Sequence, residues 1–190
     1  MIWFTSDLHL GHALVSKLRG FDSIADHDAA IIDNINSTVT PQDTLWVLGD
    51  MALGGWADTI QQCQLIHSDI HVVLGNHDRP APNMTNGHKH LLRFLTLGGF
   101  SSAQTIATVG SFLLSHYPYD GDHTDEERFD YLRPVDTGRT LLHGHTHSSD
   151  VVSYSRRGTL QLHVGLDAHG LRPVSLTTIK DLKEEYAHRN

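Results

Sequence analysis

The chain has 190 residues, 39% of them hydrophobic and 19% charged, with a formal net charge of −8. That length supports one domain, residues 1–190, with a substantial core. The acidic balance excludes a broad electrostatic footprint for nucleic-acid backbones, and the lone cysteine, Cys63, excludes internal disulfides and cysteine-rich zinc sites.

The opening run MIWFTS reads as a buried strand. Residues 23–39 read as a helix, with Ser23 and Asp26 in capping-box spacing and Ile24, Ile31, Ile35 and Val39 near one face. TLWVLG is a second strand, residues 58–66 a short helix carrying Cys63 as a small apolar residue, and DIHVVLG a third strand. Residues 88–97 read as a helix stopped by Gly98-Gly99. AQTIATVGSFLLSHYP reads as two strands around Val109-Gly110-Ser111. A polar loop, residues 119–139, follows, with Asp120, Asp122, Asp125, Glu126 and Glu127 among its acids and Arg128 and Arg133 as candidate inward-facing cations. TLLHG is a further strand, and a hairpin is expected through Arg156-Arg157-Gly158. Residues 175–188 read as an amphipathic helix with Leu176, Ile179, Leu182 and Tyr186 at helical spacing. Near-continuous apolar strands between helices predict an α/β fold, with a second sheet packed on the first. No signal-peptide pattern or membrane-length apolar run is present, so a cytoplasmic location without a membrane partner is expected.

The informative residues follow the strands. IWFTS leads to Asp7 and His9, LWVLG to Asp50, HVVLG to Asn76, His77 and Asp78, SFLLS to His116, and TLLHG to His145 and His147. Singly, each is a common turn, cap or buried polar residue. Together, five apolar runs end in groups that bind metal or move protons, and α/β sheets bind ligands at the carboxyl ends of their strands. Asp, Asn and His offer oxygen and imidazole donors suited to Mn, Fe, Zn or Ni rather than calcium. There are enough for two ions, with a carboxylate as bridge. Such a pair supplies the positive charge for phosphate that the acidic surface lacks, and it acidifies a bound water.

The ordered set Asp7-x-His9, Gly49-Asp50, Gly75-Asn76-His77-Asp78, His116 and Gly144-His145-x-His147 resembles the calcineurin-like metallophosphoesterase family. SDLHLGH and HVGLDAHGLRPVSL are similar to its small, single-domain bacterial and phage-type members. The resemblance implies a two-sheet β-sandwich flanked by helices, in four α/β/β/α layers, with a dinuclear centre at the strand ends. Carried over, Asp7, His9, Asp50 and His147 hold one ion. Asp50, Asn76, His116 and His145 hold the other, so Asp50 bridges.

His77 is then the phosphate contact and general acid, with Asp78 as its candidate catalytic partner. Asn76, Arg79 and His12 are further candidate substrate contacts. Larger members carry an additional Asp and Arg after the Gly-Asp motif, where this chain has GDMALGG. The expected cofactors are two divalent ions, Mn²⁺ first and Fe, Zn, Ni or Mg after it. The expected reaction is hydrolysis of a small, nucleotide-type phosphodiester. A nuclease, a nucleoside polyphosphate hydrolase and a non-catalytic scaffold are the alternatives. His143 lies inside its strand and reads as structural, with Thr146 turned away between His145 and His147.

Overall fold

A computed structural model of the chain describes residues 1–122 and 128–186. Strands β1 (Ile2–Thr5), β2 (Thr44–Val47), β3 (Asp69–Val73) and β4 (Ser102–Gln104) run parallel and adjacent. Strands β5 (Ile106–Val109), β6 (Phe112–Ser115), β7 (Leu141–His143), β8 (Val152–Tyr154) and β9 (Leu160–His163) form a second sheet in the order β5-β6-β7-β9-β8. Its centre is parallel and both its edge strands are antiparallel. A last strand, β10 (Val174–Ser175), returns antiparallel to β1 and completes the first sheet as β10-β1-β2-β3-β4. The expected α/β architecture of two sheets with flanking helices is what the chain adopts.

The strand composition explains the layering. In β2, Leu45 and Val47 face one core, whereas Trp46 and the following Leu48 face another. Alternate residues point to opposite faces, so a strand apolar at every position must be covered on both. One face receives Ile31, Ile32 and Ile35 of α2 (Ile24–Asn36) and Phe94 of α4 (Leu91–Gly98). The other packs Phe4, Leu48 and Val73 against Phe112, Leu114, Leu142 and Leu162 of the second sheet. Ile179 of α5 (Leu176–Tyr186) joins this second core. Each fully buried side chain of this size stabilises the fold by about 1.5–3 kcal/mol.

Local signals set several boundaries. Ser23 Oγ accepts from Asp26 N at 3.0 Å and donates to its carboxylate at 2.7 Å, which starts α2 as the capping pattern requires. The helix expected over 58–66 becomes a short α-turn, α3 (Trp56–Thr59), continued by a 3₁₀ turn, Ile60–Leu65. The helix expected over 88–97 begins as a 3₁₀ turn, Gly87–His90, before α4. At the C-terminus Ser175 belongs to β10, and His188 lies outside the described residues. Residues 103–109, read as one strand, divide between β4 in the first sheet and β5 in the second. A six-residue helix, α1 (Ala13–Leu18), follows β1 unannounced by the sequence pattern.

Cys63 is fully buried in the helix-side core, and burial pushes its thiol far up. The apolar reading of this residue therefore stands. We expect Cys63 to react with a thiol reagent only after denaturant unfolds the chain; modification at the rate of a free thiol in the folded protein would contradict its placement.

Candidate metal centre

The five strands that carry the motifs all end at one edge. β1, β2 and β3 are mutually parallel, as are β6 and β7, so their carboxyl ends bring residues 7–147 together. Sheet-like pairing continues past the strands: Asp7 N donates to Gly49 O at 3.0 Å and His9 N to Asp50 O at 2.9 Å. The backbone then turns sharply. Asp7, His9, Asp50, His145 and His147 all have positive φ, between 50° and 70°. Non-glycine residues rarely adopt this left-handed geometry, and each such residue costs about 1–3 kcal/mol. Five of the seven expected ligands sharing it shows how the chain re-aims consecutive polar side chains into one space.

Glycines make the close approach possible. A Cβ on Gly49 would meet His116 Nδ1 at 2.6 Å, and one on Gly144 would meet Asp7 Oδ2 at 2.5 Å and collide with Ser6.

Two donor groups result. Asp7, His9 and His147 offer ligand atoms within 4.8 Å of one another, as do Asp7, Asp50 and His116. His9 Nε2 and His147 Nε2 are 3.1 Å apart. On the other side, His116 Nε2 lies 3.1 Å from Asn76 Oδ1 and 3.2 Å from His145 Nδ1. Asp50 Oδ2 sits between, 3.7 Å from His9 Nε2 and 3.6 Å from His116 Nε2. All seven candidate ligands are thus in one cluster.

Its electrostatics suit cations. Burial pushes Asp50 up, and neighbouring Asp78 and Asp7 add to this against His116. Burial also pushes His145 down to about 3 and His9 well below its usual range, leaving both imidazoles neutral, the form that ligates a metal. Asp7 is buried too, but nearby His147 and His116 hold its carboxyl low. Its Oδ1 has no hydrogen-bond partner among the described residues. A buried, ionised oxygen without a donor is costly unless a cation meets it.

Residues 1–169 match the calcineurin-like phosphoesterase superfamily domain. The chain belongs to that superfamily. It is 38% identical to the Gene 66 protein of Mycobacterium phage L5, over 95% of this chain and 92% of the relative. It is 25% identical to an uncharacterized protein of Methanocaldococcus jannaschii, over 97% of this chain and 92% of that one. Its fold is similar to the crystal structure of a protein of unknown function from Aquifex aeolicus. There the TM-score is 0.65 at 22% identity, covering 96% of this chain and 98% of that one. Calcineurin-like phosphoesterases are metal-dependent phosphoester hydrolases, and the donor cluster fits the divalent ions they use.

This phosphoesterase holds its candidate histidine ligands from behind with groups the sequence reading missed. His147 Nδ1 donates to Asp167 Oδ2 at 2.8 Å, and Asp167 accepts two bonds from Arg19, Nε and Nη2, at 2.9 Å each. Arg19 also donates to Asp7 O at 2.8 Å and Leu8 O at 3.2 Å, so one buried guanidinium ties the first loop to the last. His116 Nδ1 donates to Leu48 O at 2.7 Å, which turns Nε2 toward the centre. His145 Nε2 lies 3.3 Å from Asp122 Oδ2, leaving Nδ1 inward. Such partners fix the tautomer and raise ligand basicity. Asp167 lies in the GLDAHG stretch already similar to the family, but nothing local shows which way it points. Replacing Asp167 with Asn is expected to weaken Mn²⁺ binding about 10–100-fold. Calorimetric titration checks this, and unchanged affinity would remove Asp167 from the support of His147.

The remaining candidates divide. His77 lines the cavity above the cluster, its ring 5.6 Å from that of His9, and its N donates to Asp50 Oδ1 at 2.9 Å. Desolvation, with His116 and His12 nearby, pushes its imidazole down to about 4. His12 lines the same cavity and caps Ala13–Leu18 by accepting from Leu14 N and Val15 N at 3.2 and 3.3 Å. The Asp78 carboxylate accepts from Gly75 N at 2.8 Å and from Asp50 N and Met51 N at 3.0 Å each, so it braces the loops that follow β2 and β3.

Arg79 is exposed and does not line the cavity. Arg128 lines the cavity, whereas Arg133 lies in the loop, donating to Pro118 O and Gly121 O at 3.2 and 2.8 Å. Asp120 accepts from Arg156 N at 2.9 Å; Asp125, Glu126 and Glu127 lie outside the described residues. His143 is buried beside His163, their rings 5.3 Å apart, and Thr146 lines a second cavity of about 310 Å³, away from the ligands that flank it. No helix among the described residues is long and apolar enough to cross a membrane.

Proposed function

We propose that this phosphoesterase is a phosphodiesterase acting on small, nucleotide-type diesters with two divalent ions, Mn²⁺ first among them. Asp7, His9, Asp50 and His147 would hold one ion, and Asp50, Asn76, His116 and His145 the other. The carrying observation is the Asp50 carboxylate, about equally close to the imidazoles of both donor groups at the floor of one cavity. When bound, the ions supply Lewis acidity and a water acidified toward neutral pH.

The chain's own groups do the rest. Asn76 and His12 flank the space where phosphate oxygens would sit. His77 donates a proton to the leaving oxygen as its bond to phosphorus breaks, which lets an alkoxide depart as an alcohol. Its neutral resting state favours this only once a phosphate anion lies beside it and stabilises the imidazolium.

Charge supply favours a diester over a monoester or polyphosphate. Of the two arginines lining the cavity, Arg19 is engaged by Asp167, and Arg128 Nη2 lies 3.4 Å from Asp122. A singly charged diester asks less of the remaining positive charge than a dianionic monoester. A volume of about 540 Å³ also lies within the range of small-molecule sites, about 300–1,000 Å³. An extended nucleic acid would instead need a long basic track.

The test is kcat/KM with Mn²⁺ across bis(p-nitrophenyl) phosphate, cyclic nucleotides, p-nitrophenyl phosphate, a nucleoside triphosphate and single-stranded DNA. Small diesters are expected to lead, and chelation to abolish turnover. A leading monoester, triphosphate or DNA would replace the reading.

A further inference from the structure

We propose that the short helix Ala13–Leu18 and Phe129 form an apolar shelf that binds an aromatic group esterified to the phosphate. This rests on the phosphoester reading above and names the organic half of the substrate. Leu14 and Leu18 are 60% and 76% exposed, yet both line the cavity that holds the metal ligands. They are four residues apart, so they present one helix face. The helix is anchored from beneath by buried Val15, and at its start by the His12 cap. It begins four residues after His9, which keeps the leucines beside the metal cluster.

Phe129 lines the same cavity, packed edge-on against the ligand His145 with centroids 5.7 Å apart, and held at a φ of 60°. A single exposed leucine is ordinary. Two on one face, together with a phenylalanine ring, inside a cavity whose other lining, Val15 apart, is histidine, carboxylate, Asn76 and two arginines, make a divided site. One part suits an anion and metal ions; the other suits a flat apolar body. An aryl group or nucleobase gains by leaving water there, whereas a small alkyl group covers too little surface to gain much. The divided lining thus selects for the group attached to the phosphate, not for the phosphate itself.

The experiment is calorimetric titration of the Mn²⁺-loaded protein with phenylphosphonate and with methylphosphonate, neither of which can be hydrolysed as an ester. The wild type is expected to bind phenylphosphonate about tenfold more tightly. In the double variant Leu14→Ala/Leu18→Ala that ratio is expected to fall to about twofold or less. Alanine keeps the helix propensity, and the replaced side chains are exposed, so the fold is retained. Equal binding of the two phosphonates by the wild type would overturn the shelf while leaving the phosphoester reading intact. A ratio that survives in the double variant would also overturn it. Binding of neither phosphonate would overturn the phosphoester reading and the shelf with it.

Discussion

Asp50→Asn is expected to lose Mn²⁺-dependent turnover and the thermal stabilisation that Mn²⁺ confers on the wild type. Asp50 is the carboxylate between the imidazoles of the two sides, with Oδ2 3.7 Å from His9 Nε2 and 3.6 Å from His116 Nε2. An amide of the same shape keeps the acceptor for His77 N but removes the charge and one oxygen donor. A ligand at about 100 times its Kd stabilises the folded state by about 2.7 kcal/mol. For a chain of this size that is about 5–10 °C in Tm. The variant should show little of that shift.

Without metal, burial and the nearby Asp78 and Asp7 push the Asp50 carboxyl up, so the folded chain binds its proton more tightly than the unfolded chain does. Such a group costs stability as pH rises through the raised value. The metal-free variant is therefore expected to melt no lower than metal-free wild type at neutral pH, which separates lost ligation from misfolding. A full Mn²⁺ shift with normal turnover in Asp50→Asn would end the shared-carboxylate centre.

His77→Ala is expected to retain metal binding while slowing the hydrolysis of alkyl-type diesters by about 10²–10⁴-fold. The imidazole lines the cavity but is not among the converging donor groups. Its loss therefore leaves the ligands in place. Leaving-group dependence identifies its role. p-Nitrophenolate departs without a proton, so the loss for an aryl diester should be about tenfold or less. Equal losses for both leaving groups would make His77 a phosphate contact rather than a proton donor, and no loss for either would place the acid elsewhere.

Much of this centre was legible before any fold was known. Apolar strand runs are a local property, and the polar residue that ends each run sits at a fixed offset from it. That was enough to nominate Asp7, His9, Asp50, Asn76, His77, Asp78, His116, His145 and His147; the resemblance to the family then set His77 and Asp78 apart from seven expected ligands, and the fold gathers those seven. The directions of side chains were not legible. Asp78 adjoins His77 in sequence, yet its carboxylate turns back to the N–H groups of Gly75, Asp50 and Met51. Asp122 was seen only as loop acidity, whereas its carboxylate reaches His145. The helix Ala13–Leu18 is too short for its periodicity to stand out and depends on a tertiary anchor at Val15.

By itself, the sequence determined that two layers of strands form, that their carboxyl ends bear oxygen and imidazole donors, and which residues those are. Composition and spacing are enough for this, because burial pattern and residue type are local. Only the tertiary structure decided how the donors are aimed and what holds them. Aim comes from left-handed turns at Asp7, His9, Asp50, His145 and His147, stabilised by pairing between distant loops. Support comes from contacts such as Arg19 with Asp167, 148 residues apart in the chain. No local pattern records such a pair, because its geometry exists only once both sheets have closed around the centre.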